Sequence, residues 1–300
     1  MKKFTFKLLI TILVILINPD SVFAQVNDSN SVTSKDTILY QFNLSNNNEI
    51  YGIIIEETPR ETTIKAQDGR IIIIPTFEIL SKKPISQVIK VNGQLVFKNP
   101  HPSRYFYGPS ALPMEKNELY INSVYFLTAQ VQYGLTENFS FGFTTSFFLS
   151  PMALTAKYSI KLDEKNHIAF GGMGGSFSWL APESYWGIGF ASYTFGNSEA
   201  NISATASALK TNFTESTSPL FNFAAHKRLG KNLSFMAEVY HIPELKFTIG
   251  GPFLRFYFNK TACWDFGLIF FKSESIFSYN DERNLRILPA FSYTFKFNQD

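Results

Sequence analysis

From Phe291 to Phe297 large aromatics occupy every second position: Phe291, Tyr293, Phe295 and Phe297, with Ser292, Thr294 and Lys296 between them. A period of two puts the rings on one face of a β-strand and the polar groups on the other. A greasy face opposite a wet one suits a strand that meets lipid outside and water inside. The same habit recurs upstream, where the chain breaks into runs rich in Phe, Tyr, Ile, Thr and Gly. The strands expected from this pattern are 103–113, 118–134, 138–149, 152–162, 166–178, 184–196, 199–211, 218–228, 232–241, 246–258, 262–272 and 285–297. No window carries apolar residues at helical spacing, so helix content is expected to be low.

The turns add topology. Short polar connections at 134–138, 162–166, 196–199, 229–232 and 259–261 alternate with connections that are longer on the whole, the longest being 273–284. Short periplasmic turns and longer outer loops are the habit of outer-membrane barrels. If the tight turns are periplasmic, the chain ends there, and a soluble N-terminal domain must sit there too. Both ends on one side require an even strand number. Eleven clear runs therefore imply a twelfth, assigned here to 103–113. The predicted fold is all-β: an antiparallel transmembrane barrel of about 12 strands over 103–300, preceded by a small β domain.

That small domain spans 36–90, with four short β-type runs separated by Asn46-Asn47-Asn48, Thr58-Pro59-Arg60 and Asp68-Gly69. Asp-Gly is a strong hairpin signal, and the pattern is that of an SH3-like or Sm-like sheet. At about 55 residues it is small enough to lean on the barrel or on a periplasmic partner. Residues 91–102 read as a turn-rich linker, and 25–35, rich in Asn, Ser and Thr, as a flexible leader. Ahead of it, Lys2, Lys3 and Lys7 precede an apolar run, Leu8 to Ile17, and Val22-Phe23-Ala24 supplies a cleavage site, so 1–24 reads as a signal peptide. The run is too short for a membrane anchor, which needs about 20 residues.

Composition changes the picture only a little. Hydrophobic residues make up 45% of the chain, with 32 Phe and 14 Tyr, and an exported protein must hide them in a core or in lipid. Cleavage removes three lysines and one aspartate from 27 basic and 24 acidic residues, leaving a net charge of +1. That balance supplies no electrostatic reason for a nucleic-acid partner. A single Cys263 excludes an intrachain disulfide framework.

Alternation also sorts the faces. Phe139, Phe141 and Phe143 point one way, Ser140, Gly142 and Thr144 the other; Trp264, Phe266 and Leu268 oppose Cys263, Asp265 and Gly267. In 246–258 the apolar parity slips across Gly250-Gly251-Pro252, which reads as a bulge. The inward set then contains Glu238, Arg255, Asp265, Arg286 and Lys296, a candidate network of lumen charges. Arg255 and Asp265 sit at similar depth near the tight turn 259–261, with Lys296 on the same rim. Such charges are tolerable in a wet lumen and cost several kcal/mol on the lipid side, as an order of magnitude. They would line a selectivity element or a ligand site, or fill and stiffen a narrow lumen.

Candidate chemistry is thin. The histidines His101, His167, His226 and His241 lie in no motif with Ser and an acid; His241, with Glu244 nearby, comes nearest. Gly171-Gly-Met-Gly-Gly175 lacks the Lys-Ser/Thr of a phosphate loop. No residue set has metal-ligand spacing, and none points to a cofactor or to a catalytic constellation. The stretches Asn99-Pro-His-Pro-Ser-Arg-Tyr-Phe-Tyr-Gly-Pro-Ser-Ala111 and Tyr133-Gly-Leu-Thr-Glu-Asn-Phe-Ser-Phe-Gly142 resemble a family of exported β-barrels in which a short periplasmic β domain precedes the barrel. The resemblance implies fold and an outer-membrane location and carries no functional residues. The C-terminal strand resembles the signal read by the barrel-assembly machinery, although Asn298-Gln299-Asp300 follow its last aromatic. The reading is an integral outer-membrane barrel, in contact with its lipid, with a structural, transport or pore role. The alternatives are a secreted soluble β protein that binds a partner or glycan, and an outer-membrane lipid hydrolase.

Overall fold

The computed structural model describes residues 38–66, 69–85, 88–91, 94–146, 148, 150–178, 180–213, 216–273 and 285–297. The expected signal peptide and leader, the loop residues 274–284 and the terminal 298–300 lie outside them. The chain falls into two compact units that divide between Val96 and Phe97.

The first unit is a five-stranded antiparallel sheet. Its strands are β1 (Leu39–Leu44), β2 (Glu49–Glu57), β3 (Glu61–Ala66), β4 (Ile71–Pro75) and β5 (Ile79–Ile85), and a 3-10 turn, Thr76–Glu78, joins the last two. Their order is β4-β3-β2-β1-β5, so the chain meanders outward from β1 and the last strand returns to its other edge. Phe42, Leu44, Ile64 and Ile74 form the core, with Ile50, Ile54, Ile72 and Ile79 packed around it. The isoleucine run of β4 alternates as a half-buried strand should: Ile74 is buried, while Ile71 and Ile73 are exposed. A two-stranded sheet follows, β6 (Val88–Val91) and β7 (Gln94–Phe97).

The second unit is a closed barrel of twelve antiparallel strands. These are β8 (Leu119–Val124), β9 (Thr128–Gly134), β10 (Phe139–Ser146), β11 (Met152–Lys161), β12 (Asn166–Ser178), β13 (Ala181–Gly196), β14 (Ala200–Thr211), β15 (Ser218–Arg228), β16 (Leu233–Ile242), β17 (Phe247–Tyr257), β18 (Ala262–Ser273) and β19 (Leu285–Phe297). β19 closes on β8, with Phe297 opposite Leu119, so the barrel starts and ends on its tight-turn side. Closure leaves no edge strand in the wall.

The count of twelve is reached differently from the sequence expectation. Residues 103–113 are not a strand. Three of the prolines near them, Pro102, Pro109 and Pro113, lack the N–H a ladder needs, and the segment runs into the lumen instead. The missing strand comes from 118–134, which is two strands folded at Tyr125-Phe126-Leu127. Tyr125 and Phe126 have φ of 55° and 56°, and the Leu127 N–H donates to the Val124 carbonyl at 3.0 Å. Two successive left-handed residues make the hairpin turn that Asn-Gly usually marks. Here aromatic anchoring stands in for glycine. Tyr125 packs edge-on to Phe291 with centroids 5.1 Å apart, Phe126 does the same to Trp264 at 5.8 Å, and the Tyr125 hydroxyl donates to the Pro289 carbonyl at 2.5 Å.

The expected bulge at Gly250-Gly251-Pro252 is also absent. β17 keeps one register against β16 throughout, from Phe247 opposite Ile242 to Phe256 opposite Leu233. Phe247, Ile249, Phe253, Arg255 and Tyr257 therefore share the inner face. Apparent slippage arose because the interior is itself apolar towards the loop end, so apolar did not mean outward there.

Outward faces are greasy around the whole wall. Phe141, Leu154, Phe170, Tyr193, Ile202, Phe223, Leu254, Phe266 and Ile287 are all exposed, and each comes from a different strand. The inner face is polar on the tight-turn side, where Ser140, Ser159, Thr194, Ser203, Ser234 and Thr294 are buried.

Candidate functional site: a plugged lumen

Residues 98–118 enter the barrel and are held there by side chains from most of its strands. The segment first folds on itself: Tyr105 N–H donates to the Gly108 carbonyl at 2.9 Å and Ser110 N–H to the Ser103 carbonyl at 3.0 Å. Arg104, Tyr105, Phe106, Ser110 and Ala111 are all buried. A buried non-ladder backbone must find partners elsewhere, and the wall supplies them at three places.

The first is a carboxylate between two guanidiniums. Asp265 on β18 faces Arg255 on β17 in register. Arg255 Nε donates to Asp265 Oδ1 at 2.8 Å and its Nη2 to Oδ2 at 3.0 Å, a bidentate pair. Arg104 Nη2, from the inserted segment, donates to the same Oδ2 at 3.1 Å, and Ser292 Oγ adds a fourth bond at 3.1 Å. Arg255 also donates to the carbonyls of His101 (3.2 Å) and Tyr105 (3.0 Å), while Arg104 reaches Thr294 Oγ1 and the Phe106 carbonyl (3.0 Å). Arg255 and Asp265 are fully buried, which is sustainable only because every charge is paired and bonded.

The second place is Glu238 on β16. Its Oε2 accepts the Tyr107 N–H at 2.9 Å, and its Oε1 accepts the Gly108 N–H at 2.6 Å and the Tyr240 hydroxyl at 2.5 Å. The backbone at Gly108 comes close to the clasp: a Cβ there would stand 2.3 Å from Tyr240 Oη and 2.6 Å from Glu238 Oε1, so both side-chain ends would have to shift. The third is Lys157 on β11, whose Nζ donates to the carbonyls of Ser103 (3.3 Å), Ser110 (2.9 Å) and Leu112 (2.9 Å). Tyr105 extends the grip to Asn201 and Ser203, each at 2.6 Å, and Phe106 stacks on Phe253 with centroids 4.1 Å apart.

Of the five residues singled out by alternation, Arg255 and Asp265 meet directly. Glu238 belongs to the same inserted segment's clasp but touches its other flank. Lys296 pairs with Glu115 (3.2 Å) and Glu118 (3.4 Å) at the segment's exit. Arg286 lies apart: it is exposed and stands opposite Phe271, six positions along β19 from Ser292, the partner of Asp265. That is about 20 Å of strand. Two principal contributors, Arg104 and Lys157, escaped the sequence reading. Lys157 could have been found, because it follows Ala153 and Thr155 on the inner parity of β11. Arg104 could not, since its segment was read as wall.

Outside the barrel strands, burial and the neighbouring cations Arg255 and Arg104 hold His101 well below the usual histidine range, so it is neutral. Its Nε2 donates to the Thr261 carbonyl at 3.3 Å. Burial pushes the Glu199 and Glu118 carboxyls up, opposed by Arg228 and Lys296 respectively. Among the described residues the remaining histidines form no acid–base relay. His241 Nδ1 sits 2.9 Å from Thr248 Oγ1, and Glu244 receives the Ser218 hydroxyl rather than facing His241. Among the described residues no group of three His, Cys, Asp or Glu side chains could hold a metal ion.

Beyond the inserted segment, towards the loop end, the lumen widens into a cavity of about 540 Å³. Phe106, Gly108 and Pro109 form its floor, and Trp186, Ile188, Phe190, Phe247, Ile249 and Ile269 much of its wall.

No family model and no curated protein matches the chain. Among solved structures it is similar to the KdgM porin in complex with disordered oligogalacturonate, at 8% identity over 61% of this chain and 98% of that one, with a TM-score of 0.43. The NanC porin matches at 10% identity over 60% and 97% of the two chains, TM-score 0.39. The Acinetobacter baumannii outer membrane protein Omp33 matches at 12% identity over 63% and 100%, TM-score 0.34.

Proposed function

We propose that this chain is an integral outer-membrane barrel of the transport class whose lumen is closed on the tight-turn side by its own residues 98–118. The observation that carries the reading is the three-point clasp by Asp265–Arg255, Glu238 and Lys157. Wall charges that would otherwise line an aqueous pore are spent on the backbone and Arg104 of the inserted segment. A purely structural wall would have no need of a separate segment held by polar bonds, which can exchange for water, where apolar packing would fill the space.

Membrane residence is supported by the ring of exposed aromatics and aliphatics, since soluble proteins rarely expose apolar patches beyond a few hundred Å², as an order of magnitude. With the tight turns facing the periplasm, the first unit lies in the periplasm. Its strand order, with a 3-10 turn before the last strand, fits a small SH3-like module suited to a periplasmic partner. The barrel-assembly machinery would insert the chain through its C-terminal aromatic strand. Extraction with alkaline carbonate tests residence: an integral barrel stays in the pellet, and release into the supernatant would favour the secreted alternative.

Single-channel recording in planar bilayers tests the plug. The native protein should be silent or pass only brief openings. Lys157→Met combined with Glu238→Leu should give sustained openings, with folding checked by heat-modifiable electrophoretic mobility. Steady conductance by the native protein, unchanged in the folded variant, would mean that residues 98–118 do not close the lumen.

A further inference from the structure

The barrel wall is not of one height. A strand tilted as in outer-membrane barrels needs about 9–11 residues to cross the hydrocarbon. From β11 to β19 the strands have 10 to 16 residues. The neighbours β8, β9 and β10 have only 6, 7 and 8. They start level with the rest on the tight-turn side, where Leu119 stands opposite Phe297 and Gly134 opposite Ser140. The shortfall is therefore at the loop end, and among the described residues the wall is cut away above the β8–β9 hairpin.

One border of this gap is β19. β8 ends at Val124, opposite Ser292, while β19 extends from there towards the loop end as far as Leu285. The Lys296 N–H, bonded to the Thr261 carbonyl at 2.8 Å, aims the even-numbered residues of β19 at β18, so the odd-numbered ones aim N–H and C=O at β8. Where β8 has ended those groups would be bare, a costly state in hydrocarbon. The chain relieves the first of them. The Phe291 carbonyl accepts the Tyr125 N–H at 3.1 Å, and Pro289, which has no N–H, accepts the Tyr125 hydroxyl on its carbonyl at 2.5 Å. An edge treated in this way suits a standing gap, and the missing donor at Pro289 disfavours an added partner strand.

Side chains show the same opening. Leu288 shares the lumen-facing parity of Ala290, yet it is 50% exposed where Ala290 is buried, and Ile287 beside it is 53% exposed. The hairpin tip presents Phe126 and Leu127, each 59% exposed, where Gly, Asn and Asp are the usual turn residues. The gap also borders the loop-side cavity. Val124 and Tyr125 at its sill, and Ile269, the cross-strand partner of Leu288, all line that cavity. Phe247 and Ile249, next along the cavity wall, are apolar as well.

We propose that acyl chains of the surrounding bilayer enter the loop-side cavity sideways through this gap, over the sill formed by Tyr125 and past Leu288. The inference rests on membrane residence and deepens the transport reading. An amphiphile in the cavity would keep its chain in contact with the bilayer and pass between the two without crossing water.

The test is contact crosslinking of the full chain in dioleoylphosphatidylcholine vesicles, with p-benzoylphenylalanine placed at one position at a time. Leu268, exposed on the outer face of β18, reports the bilayer, while Phe247 and, as a second reporter, Ile249 line the cavity. After illumination, intact mass should show one added phospholipid at Leu268 and at one or both cavity positions. Leu288→Trp, which crowds the gap, should abolish the cavity adduct and spare that at Leu268, with folding checked by heat-modifiable mobility. An adduct at Leu268 alone overturns the lateral route, and so does a cavity adduct that Leu288→Trp leaves undiminished. No adduct even at Leu268 overturns membrane residence itself, and the lateral route with it.

Discussion

Asp265 is the residue on which most of the buried charge depends. It is ion-paired with both Arg255 and Arg104, so Asp265→Asn leaves two cations without their carboxylate, whereas Arg104→Met leaves one balanced pair. Breaking a buried pair costs about 3–5 kcal/mol. Urea titration in detergent micelles should therefore show Asp265→Asn losing about that much and Arg104→Met distinctly less; equal losses would mean that the third charge is not coupled. Gly108→Ala should loosen the segment without removing any charge, because the added methyl displaces Glu238 and Tyr240. His101 adds a pH dependence. Its pKa in the docked segment is below that of the free side chain, so its stabilisation is complete above about pH 6.5 and is lost as pH falls from there through the lowered value. The raised Glu199 and Glu118 act in the opposite sense, gaining protons more readily when docked. The His101 contribution is read as the difference between the native chain and His101→Gln: protection of residues 99–113 from proteolysis should fall more on going from pH 7.5 to pH 5.5 when His101 is present.

At the scale of elements, the strands of the wall were legible because one face is exposed and apolar and the other carries buried polar groups. Phe141, Phe143, Leu254, Phe256 and Phe266 all point where alternation put them. The exceptions have identifiable causes. The β8–β9 hairpin was hidden because its left-handed turn is made by Tyr125 and Phe126, held by Phe291, Trp264 and Pro289, all far away in sequence. The slip in β17 was an artefact of an interior that turns apolar where the cavity begins. The glycines of β12 and β13 supply a further test. Gly171 faces inward, where a Cβ would stand 2.4 Å from the Phe190 ring, so it admits that side chain. Gly189 faces outward with nothing within 4 Å of an added Cβ, and its φ is not in the left-handed range. Gly189→Ala should be accepted and raise stability by roughly 0.5–1 kcal/mol in the same titration. A destabilised variant would show that something packs closely on that outer face.

For the whole molecule, parity was the most productive constraint. Ends on the same side demand an even number of strands, and twelve close the barrel with β19 on β8. The number held although its derivation did not, because one strand too many at 103–113 offset one too few at 118–134. The same substitution alters the functional picture, because an inserted segment turns the wall charges Asp265, Arg255, Glu238 and Lys157 into a clasp on its own backbone and on Arg104.

By itself, the sequence determined the all-β class, the outward aromatic face and the neighbourhood of Arg255 and Asp265, because each depends on local period or on distance from one tight turn. Only the tertiary structure decided that Arg104 joins Asp265 from 161 residues away, that Lys157 and Glu238 hold backbone rather than face water, and that Arg286 stands apart. Those outcomes depend on where a non-periodic segment finds partners for its buried N–H and C=O groups. No local pattern encodes that choice, since it is made by the closed wall around the segment.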